Sequence, residues 1–176
     1  MDIFSENLDV IFNRRSVRKY KQTPIADSDV KSILTAAMSA PSACDKKSPE
    51  FIVLTDNNIL SDISSFLPNG GFLSEAPLGI IVLGNIKRAH AESLSYMLQD
   101  CSAAIENILI AVSALNLGAC WLGVHPREDR INSIKKYFLL PEEVIPISVI
   151  SIGVPDEKVE SRSRFFTENV SFNKYR

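Results

Sequence analysis

Gln99-Asp100-Cys101-Ser102-Ala103-Ala104-Ile105-Glu106-Asn107 begins the most apolar part of this 176-residue chain. Extended in both directions, the stretch predicts a helix over Ala91–Asn116. Ile105, Ile108, Leu109, Val112 and Leu115 recur at helical spacing in its second half, with few charges between them. A helix this apolar belongs in the middle of a core or at a large interface, because water would cover too much hydrocarbon. Gly118 is read as its end. Upstream, Leu78–Leu83 is a continuous apolar run and predicts a buried strand. Downstream, Cys120–Val124 reads as a strand. Asp129–Phe138 reads as a helix with Ile131, Ile134 and Phe138 inward, and Pro146–Ile152 as a last strand. Toward the N-terminus, Val30, Ile33, Leu34, Ala37 and Met38 follow the helical period, predicting a helix over Ser28–Ser39 that Asp27 or Ser28 caps and Pro41 stops. A short strand, Phe51–Leu54, and a helix, Ile59–Leu67, lead to the turn Pro68-Asn69-Gly70-Gly71. A first helix covers Glu6–Asn13, with Leu8, Ile11 and Phe12 on one face. On this alternation alone, the expectation is a parallel α/β sheet.

The length predicts one domain over residues 1–176, and a chain of this size buries roughly 70% of its unfolded surface. Apolar residues at 45% and charged residues at 23% are the balance of a globular domain, not of a disordered chain. A net charge of −2 gives no sign of the basic face that nucleic acid requires, so no nucleic-acid partner is expected. The three cysteines, Cys44, Cys101 and Cys120, are odd in number and unpaired in spacing. They read as small buried hydrophobes rather than a disulfide framework. His90 and His125 have no partners at metal-ligand spacing, so no metal is expected. The start Met1-Asp2-Ile3-Phe4-Ser5-Glu6 is not a signal peptide, and no run approaches the ~20 apolar residues of a membrane span. The expected location is the cytoplasm.

Signatures of covalent or Rossmann-type chemistry are missing: no G-x-G-x-x-G, no P-loop, no G-x-S-x-G and no Cys/His pair. An enzyme of this composition needs a cofactor to carry its chemistry. Three stretches offer binding groups. Arg14-Arg15-Ser16-Val17-Arg18-Lys19-Tyr20 packs guanidinium groups and a hydroxyl suited to phosphate, although as a charge run it reads more readily as a solvated basic loop. Ala40-Pro41-Ser42-Ala43-Cys44-Asp45-Lys46-Lys47 has small residues that let backbone approach a flat ligand, but composition alone favours a helix stop and turn. Gly118-Ala119-Cys120-Trp121-Leu122-Gly123 brackets a short apolar strand with glycines, and Gly123 leaves room for a planar ring. Trp121, the sole tryptophan, reads equally as a core residue. The tail from Val154 to Arg176 holds Phe165, Phe166, Phe172 and Tyr175, more aromatics than a disordered end carries. It packs either on its own domain or on a second subunit.

Taken in order, these pieces resemble the nitroreductase family of FMN-dependent oxidoreductases over nearly the whole chain. Arg14–Tyr20 matches its R-R-S-[IV]-R-x-[YF] opening, and Ala40-Pro41-Ser42-Ala43 its A-P-S-[AS] segment. Glu75-Ala76-Pro77-Leu78-Gly79-Ile80-Ile81-Val82 is similar to its E-A-P-x-x-I-x-V strand. Gln99–Asn107 resembles the Q-D-x-[SA]-x-A-x-[EQ]-N helix, and Leu117–Gly123 the G-L-G-x-x-W-x-G segment. Each motif is modest alone; five in the right order are specific.

The resemblance implies an α+β three-layer sandwich, with a central, mostly antiparallel sheet flanked by helices, in an interlocked homodimer. Residues 154–176 form the extension that packs on the partner subunit. It implies FMN at the dimer interface and NADH or NADPH as cosubstrate. Arg14 and Ser16 hold the phosphate, Arg15 lies along the ribityl chain, and Arg18 reaches the pyrimidine edge. Pro41, Ser42 and Ala43 come from the other subunit, Leu122 and Gly123 lie close to the ring, and Arg162 and Arg164 return to the phosphate. No side chain acts as a catalytic residue, since the reaction runs at the flavin. The implied acceptor is a small molecule such as a nitroaromatic or quinone. After Ala-Pro-Ser-Ala the family reads x-N-x-Q-P-W, whereas this chain has Cys44-Asp45-Lys46-Lys47-Ser48-Pro49. Asp45 brings a carboxylate near the cofactor, and it either pairs with Lys47 or opposes the reduced flavin. Two other readings stand beside the reductase: a flavin sensor or reservoir without turnover, and a relative with different flavin chemistry.

Overall fold

The computed structural model describes residues 8–160 and 165–175. In chain order its elements are α1 (Asp9–Asn13), β1 (Tyr20–Lys21), α2 (Asp27–Met38), β2 (Pro49–Leu54), α3 (Asn57–Ser65), β3 (Leu78–Asn85), α4 (Leu94–Ala114), β4 (Gly118–Gly123), α5 (Glu128–Phe138) and β5 (Val144–Pro155). Strand β3 explains the architecture. Its side chains alternate between two cores, as a strand's period of two demands. Ile80 and Val82 pack with Ile33 and Ala37 of α2 and with Ile105, Ile108 and Val112 of α4. Ile81 and Leu83 pack with Leu60 and Ile63 of α3 and with Ile131 and Ile134 of α5. Helices on both faces make the run continuously apolar. Each such fully buried aliphatic side chain contributes about 1.5–3 kcal/mol.

The sheet has five strands, in the order β1-β5-β3-β2, with β4 also pairing β5. Every strand ladder among the described residues is antiparallel, which corrects the parallel sheet expected from alternation. Strands β3 and β4, joined through α4, both run antiparallel to β5 and are therefore parallel to each other, but β5 lies between them. The alternation of helix and strand was a true signal. The insertion of the last strand between two earlier ones is a pairing decision that no local stretch encodes.

Several boundaries also differ from expectation, each for a local reason. Strand β5 passes through Pro146 rather than starting there. The register jumps from Val82↔Ser148 to Leu83↔Pro146, leaving Ile147 as a bulge where the missing N–H of proline costs little. The bulge also switches faces, so Val144 joins the α3/α5 core while Ile150 and Ile152 join the α2/α4 core. Helix α4 starts at Leu94, not Ala91, because Ala91 and Glu92 hold positive φ in a turn before it. Its C-terminal left-handed residue is Asn116 (φ 57°), not glycine. Gly118 serves a different need, since a Cβ there would lie 2.7 Å from the Val17 side chain. Helix α1 is described from Asp9, and it buries none of its residues within one chain. No helix among the described residues is long and apolar enough to cross a membrane.

Candidate functional site

Strand β4 presents its outer edge to a cleft. Val124 N–H donates to the Ile147 carbonyl (3.1 Å), and pairing alternates along an antiparallel ladder, so Leu122, Cys120 and Gly118 exchange bonds with β5. Ala119, Trp121 and Gly123 turn their peptide groups outward. The Ala119 carbonyl is taken by Val17 N–H (2.9 Å), and Ser16 forms a parallel bridge to Ala119. The Gly123 carbonyl is taken by Arg130 Nη1 (2.6 Å). The basic segment is thus docked along β4.

That segment is held by side chains on either side of it. The buried Tyr20 hydroxyl lies 2.7 Å from Ser151 Oγ and donates to the Val17 carbonyl. Burial holds its phenol well above the ordinary range, with the Ser151 bond opposing that shift. Glu157 accepts from the backbone N–H of Arg18 (2.6 Å) and of Lys19 (3.2 Å). Arg15 donates to the carbonyls of Phe12, Arg14 and Glu160, so its guanidinium shapes the loop. Arg14 Nε lies 3.7 Å from Glu106 Oε1.

Two clefts flank the segment. One, of about 270 Å³, is lined by Arg14 and Arg15 together with Leu109, Val112, Ser113 and Asn116 of and after α4. The other, of about 230 Å³, is lined by Arg18, Asn69, Phe72, Trp121, Leu122, Gly123 and Arg130, with Leu67, Gly70 and Cys120 behind them. The Arg18 guanidinium stands 5.9 Å from the Phe72 ring centroid, within cation–π reach. Trp121 is 40% exposed, a cleft residue rather than a core one. A Cβ placed on Gly123 would meet no atom within 4 Å, so the face over this peptide is open. No carboxylate among the described residues lines this second cleft. It is shaped for a flat ligand with acceptor atoms or negative charge along its edge.

The stretch after α2 lies elsewhere. Ser42 and Lys47 line a groove of about 430 Å³ with Met38, Phe51, Val53 and Arg88, and not the cleft that holds Arg18. Asp100 of α4, only 3% exposed, sets this loop. Its carboxylate accepts from Ala43 N–H (2.8 Å) and from the Ser48 hydroxyl (2.7 Å), while Ser42 Oγ accepts from Lys47 N–H (2.9 Å). Cys44, Asp45 and Lys47 adopt positive φ in this tight path. Asp45 and Lys47 pair at 3.1 Å. Cys44 is exposed, which corrects its reading as a buried hydrophobe, whereas Cys101 and Cys120 are buried.

The chain therefore brings Arg18, Leu122 and Gly123 together, keeps Arg14, Arg15 and Ser16 one step along the same edge, and holds Pro41–Asp45 apart. Arg162 and Arg164 lie outside the described residues. Asn69, Phe72 and Arg130 were not singled out from sequence. Asn69 sat in a stretch legible only as a turn, and Arg130 in a helix legible only by its apolar stripe.

A five-stranded antiparallel sheet between two helical layers, with a basic segment docked on an edge strand beside an open aromatic cleft, defines an α+β sandwich. Comparison with known proteins narrows that class. The model of the Nitroreductase family matches residues 11–70 and 64–154. A protein of Methanothermobacter thermautotrophicus, provisionally named NADH dehydrogenase/NAD(P)H nitroreductase, is 39% identical over 169 residues, 96% of this chain and 87% of that one. A crystal structure from Parabacteroides distasonis with the same provisional name superposes with a TM-score of 0.91 at 34% identity, covering 98% of this chain and 100% of that one. A provisionally named nitroreductase from Desulfovibrio desulfuricans, solved with FMN, superposes at 0.85 with 26% identity, over 98% and 99% of the two chains. This chain belongs to the nitroreductase family.

Proposed function

We propose that this protein is an FMN-dependent oxidoreductase that moves electrons from NADH or NADPH to a small organic acceptor, such as a nitroaromatic or quinone, in two half-reactions. The observation that carries the reading is the outward edge of β4. The Trp121–Gly123 backbone and the Arg18 guanidinium border one open cleft that no carboxylate among the described residues lines. The names and FMN complex of the relatives support it.

Bound FMN supplies the chemistry, accepting two electrons from the nicotinamide and passing them on. The chain's own residues bind and orient. Arg14 and Ser16 hold the phosphate as charge-assisted and neutral donors. Arg15 gives its Nε and Nη1 donors to main-chain carbonyls, and we assign it to shaping that loop. Arg18 meets the pyrimidine edge, where a fixed cation favours the negative charge that reduction brings. Leu122 and Gly123 offer backbone to the ring, with Gly123 leaving its face free for a second flat molecule. Because the 41–45 loop lies away from this cleft within one chain, the reading takes Pro41, Ser42, Ala43 and Asp45 from a second copy. It treats residues 1–176 as one domain, with 154–176 as an extension reaching the partner. The Asp45–Lys47 pair offsets part of the charge that Asp45 would otherwise bring to reduced flavin. Cytoplasm, where reduced nicotinamides are made, is the fitting location.

The test is an anaerobic visible spectrum of FMN-reconstituted protein before and after NADH, then NADPH. Bleaching of the flavin band by either is expected, and the faster donor names the cosubstrate. Bound flavin that neither donor bleaches would turn the assignment to a non-turnover flavin binder, and failure to bind FMN would undo it.

A further inference from the structure

FMN binding by the residues assigned above leaves the second guanidinium of the β4 cleft unused. Arg130, in the first turn of α5, lines the same cleft as Arg18, Asn69, Trp121 and Gly123. Its Nη1 is fixed to the Gly123 carbonyl at 2.6 Å, so the plane of the guanidinium is set by the strand edge that borders the open face. Its Nε is buried and meets no hydrogen-bond acceptor among the described residues. No carboxylate among the described residues lies within ion-pair distance of it. The 41–45 loop, which the dimer reading brings opposite, carries one carboxylate, Asp45, already paired with Lys47 at 3.1 Å.

We propose that Arg130 is a specificity-determining residue that selects acceptors bearing a carboxylate or equivalent anionic group on a planar ring. This rests on the FMN-reductase reading above. Arg18 is occupied by the pyrimidine edge, so its charge is matched when the flavin is reduced. Arg130 has no such match and stays cationic at every working pH, since a guanidinium does not deprotonate in proteins. The edge of the guanidinium that lines the cleft, not the buried Nε behind it, offers an incoming carboxylate a charge-assisted bond, roughly twice as strong as a neutral one. Trp121, partly exposed, and Phe72 supply the aromatic surface against which the acceptor's ring lies. For a nitroarene the first reduction balances as one nicotinamide, one proton and the nitro compound giving oxidised nicotinamide, the nitroso compound and water.

The experiment compares kcat/KM for 4-nitrobenzoate and 4-nitrobenzamide, with FMN-loaded protein and the nicotinamide that bleaches it. The quantity read is the ratio of the two, which cancels losses of flavin or fold common to both substrates. In Arg130→Gln the benzoate-to-benzamide ratio falls about tenfold, the loss of one charge-assisted bond, and Arg130→Lys recovers part of it. Arg127→Gln, an equal change of charge at an exposed position outside the cleft, keeps the wild-type ratio within twofold. An unchanged ratio in Arg130→Gln overturns the inference while leaving the reductase intact. Should that variant lose its flavin, the wild type decides: benzoate must compete with the acceptor at lower concentration than benzamide, and equal competition overturns the inference. A wild-type flavin that no nicotinamide bleaches brings down the reductase reading and this inference together.

Discussion

Arg18 and Cys101 are two residues whose surroundings set their chemistry in opposite ways. Arg18 extends an exposed guanidinium past Phe72 into the cleft, while Glu157 holds its backbone rather than its charge. Its cation is therefore available to a ligand. Arg18→Ala lowers the reduction potential of bound FMN, and Arg18→Lys retains most of it; a potentiometric titration reads the midpoint. An unchanged midpoint in the alanine variant would move the pyrimidine edge away from Arg18. Cys101 sits inside α4, its thiol 3.6 Å from the Leu83 carbonyl, and burial, aided by the Asp100 charge, pushes its pKa to about 12 from 9.0. The unfolded thiol ionises first, so the folded state binds more protons between those values and stability falls as pH rises through them. Its contribution is complete below pH 9. One proton is worth about 1.4 kcal/mol per pH unit at full slope. Urea midpoints measured from pH 8 to 11 fall less steeply in Cys101→Ala than in the wild type; identical slopes would show that this thiol is not the group responsible.

Helix α4 joins the core to the loop after α2 through one side chain. Asp100 is the polar exception on its buried face, and its two bonds hold Ala43 N–H and Ser48 Oγ in place. Asp100→Ala orphans both donors at about 1–3 kcal/mol each, whereas Asp100→Asn keeps an acceptor for Ala43 and offers its amide to the Ser48 hydroxyl. Thermal unfolding should therefore show a large loss for alanine and about 1 kcal/mol or less for asparagine. Equal losses would mean that charge, not bond geometry, holds the loop. The element scale also shows what a sequence exposes. The buried face of α4 and the apolar run of β3 were readable because burial imposes a period. The start of α4 was not, because Ala91 takes a left-handed turn that its side chain does not advertise. The passage of β5 through Pro146 depends on a bulge opposite Val82 and Leu83, a fact about two strands together. The insertion of β5 belongs to the same kind; the resemblance implied a mostly antiparallel sheet but not the place of its last strand.

At the scale of the whole molecule, the proposed flavin site needs a second copy of the chain. The residues that the family resemblance assigned to the flavin divide between the β4 cleft and the loop beside α2, which do not share a cleft. Motif order made the first group and the segment beside it legible. The cleft positions of Asn69 and Arg130 were not, because a turn residue and a helix surface charge become cleft residues only when the strand edge they face is known. The tail adds a physical argument for the second copy. Phe165, Phe172 and Tyr175 are 75%, 83% and 86% exposed, and Leu8, Ile11 and Met38 also show their side chains to water. Burying each large side chain contributes about 1.5–3 kcal/mol, so covering this set against another subunit outweighs the cost of ordering it. A chain ending after Arg164 keeps Glu157, and with it the bonds that hold Arg18 and Lys19, but loses the aromatic tail. Sedimentation equilibrium should show the full chain as a dimer and the shortened chain shifted toward monomer. Flavin should pass into the filtrate in the same proportion, because the 41–45 loop does not line the cleft within one chain and the proposed site takes it from a partner. A shortened chain that remains dimeric with its FMN would place the dimer contact on the helices and leave the tail to pack elsewhere. A shortened chain that is monomeric yet keeps FMN would mean that one subunit holds the cofactor alone.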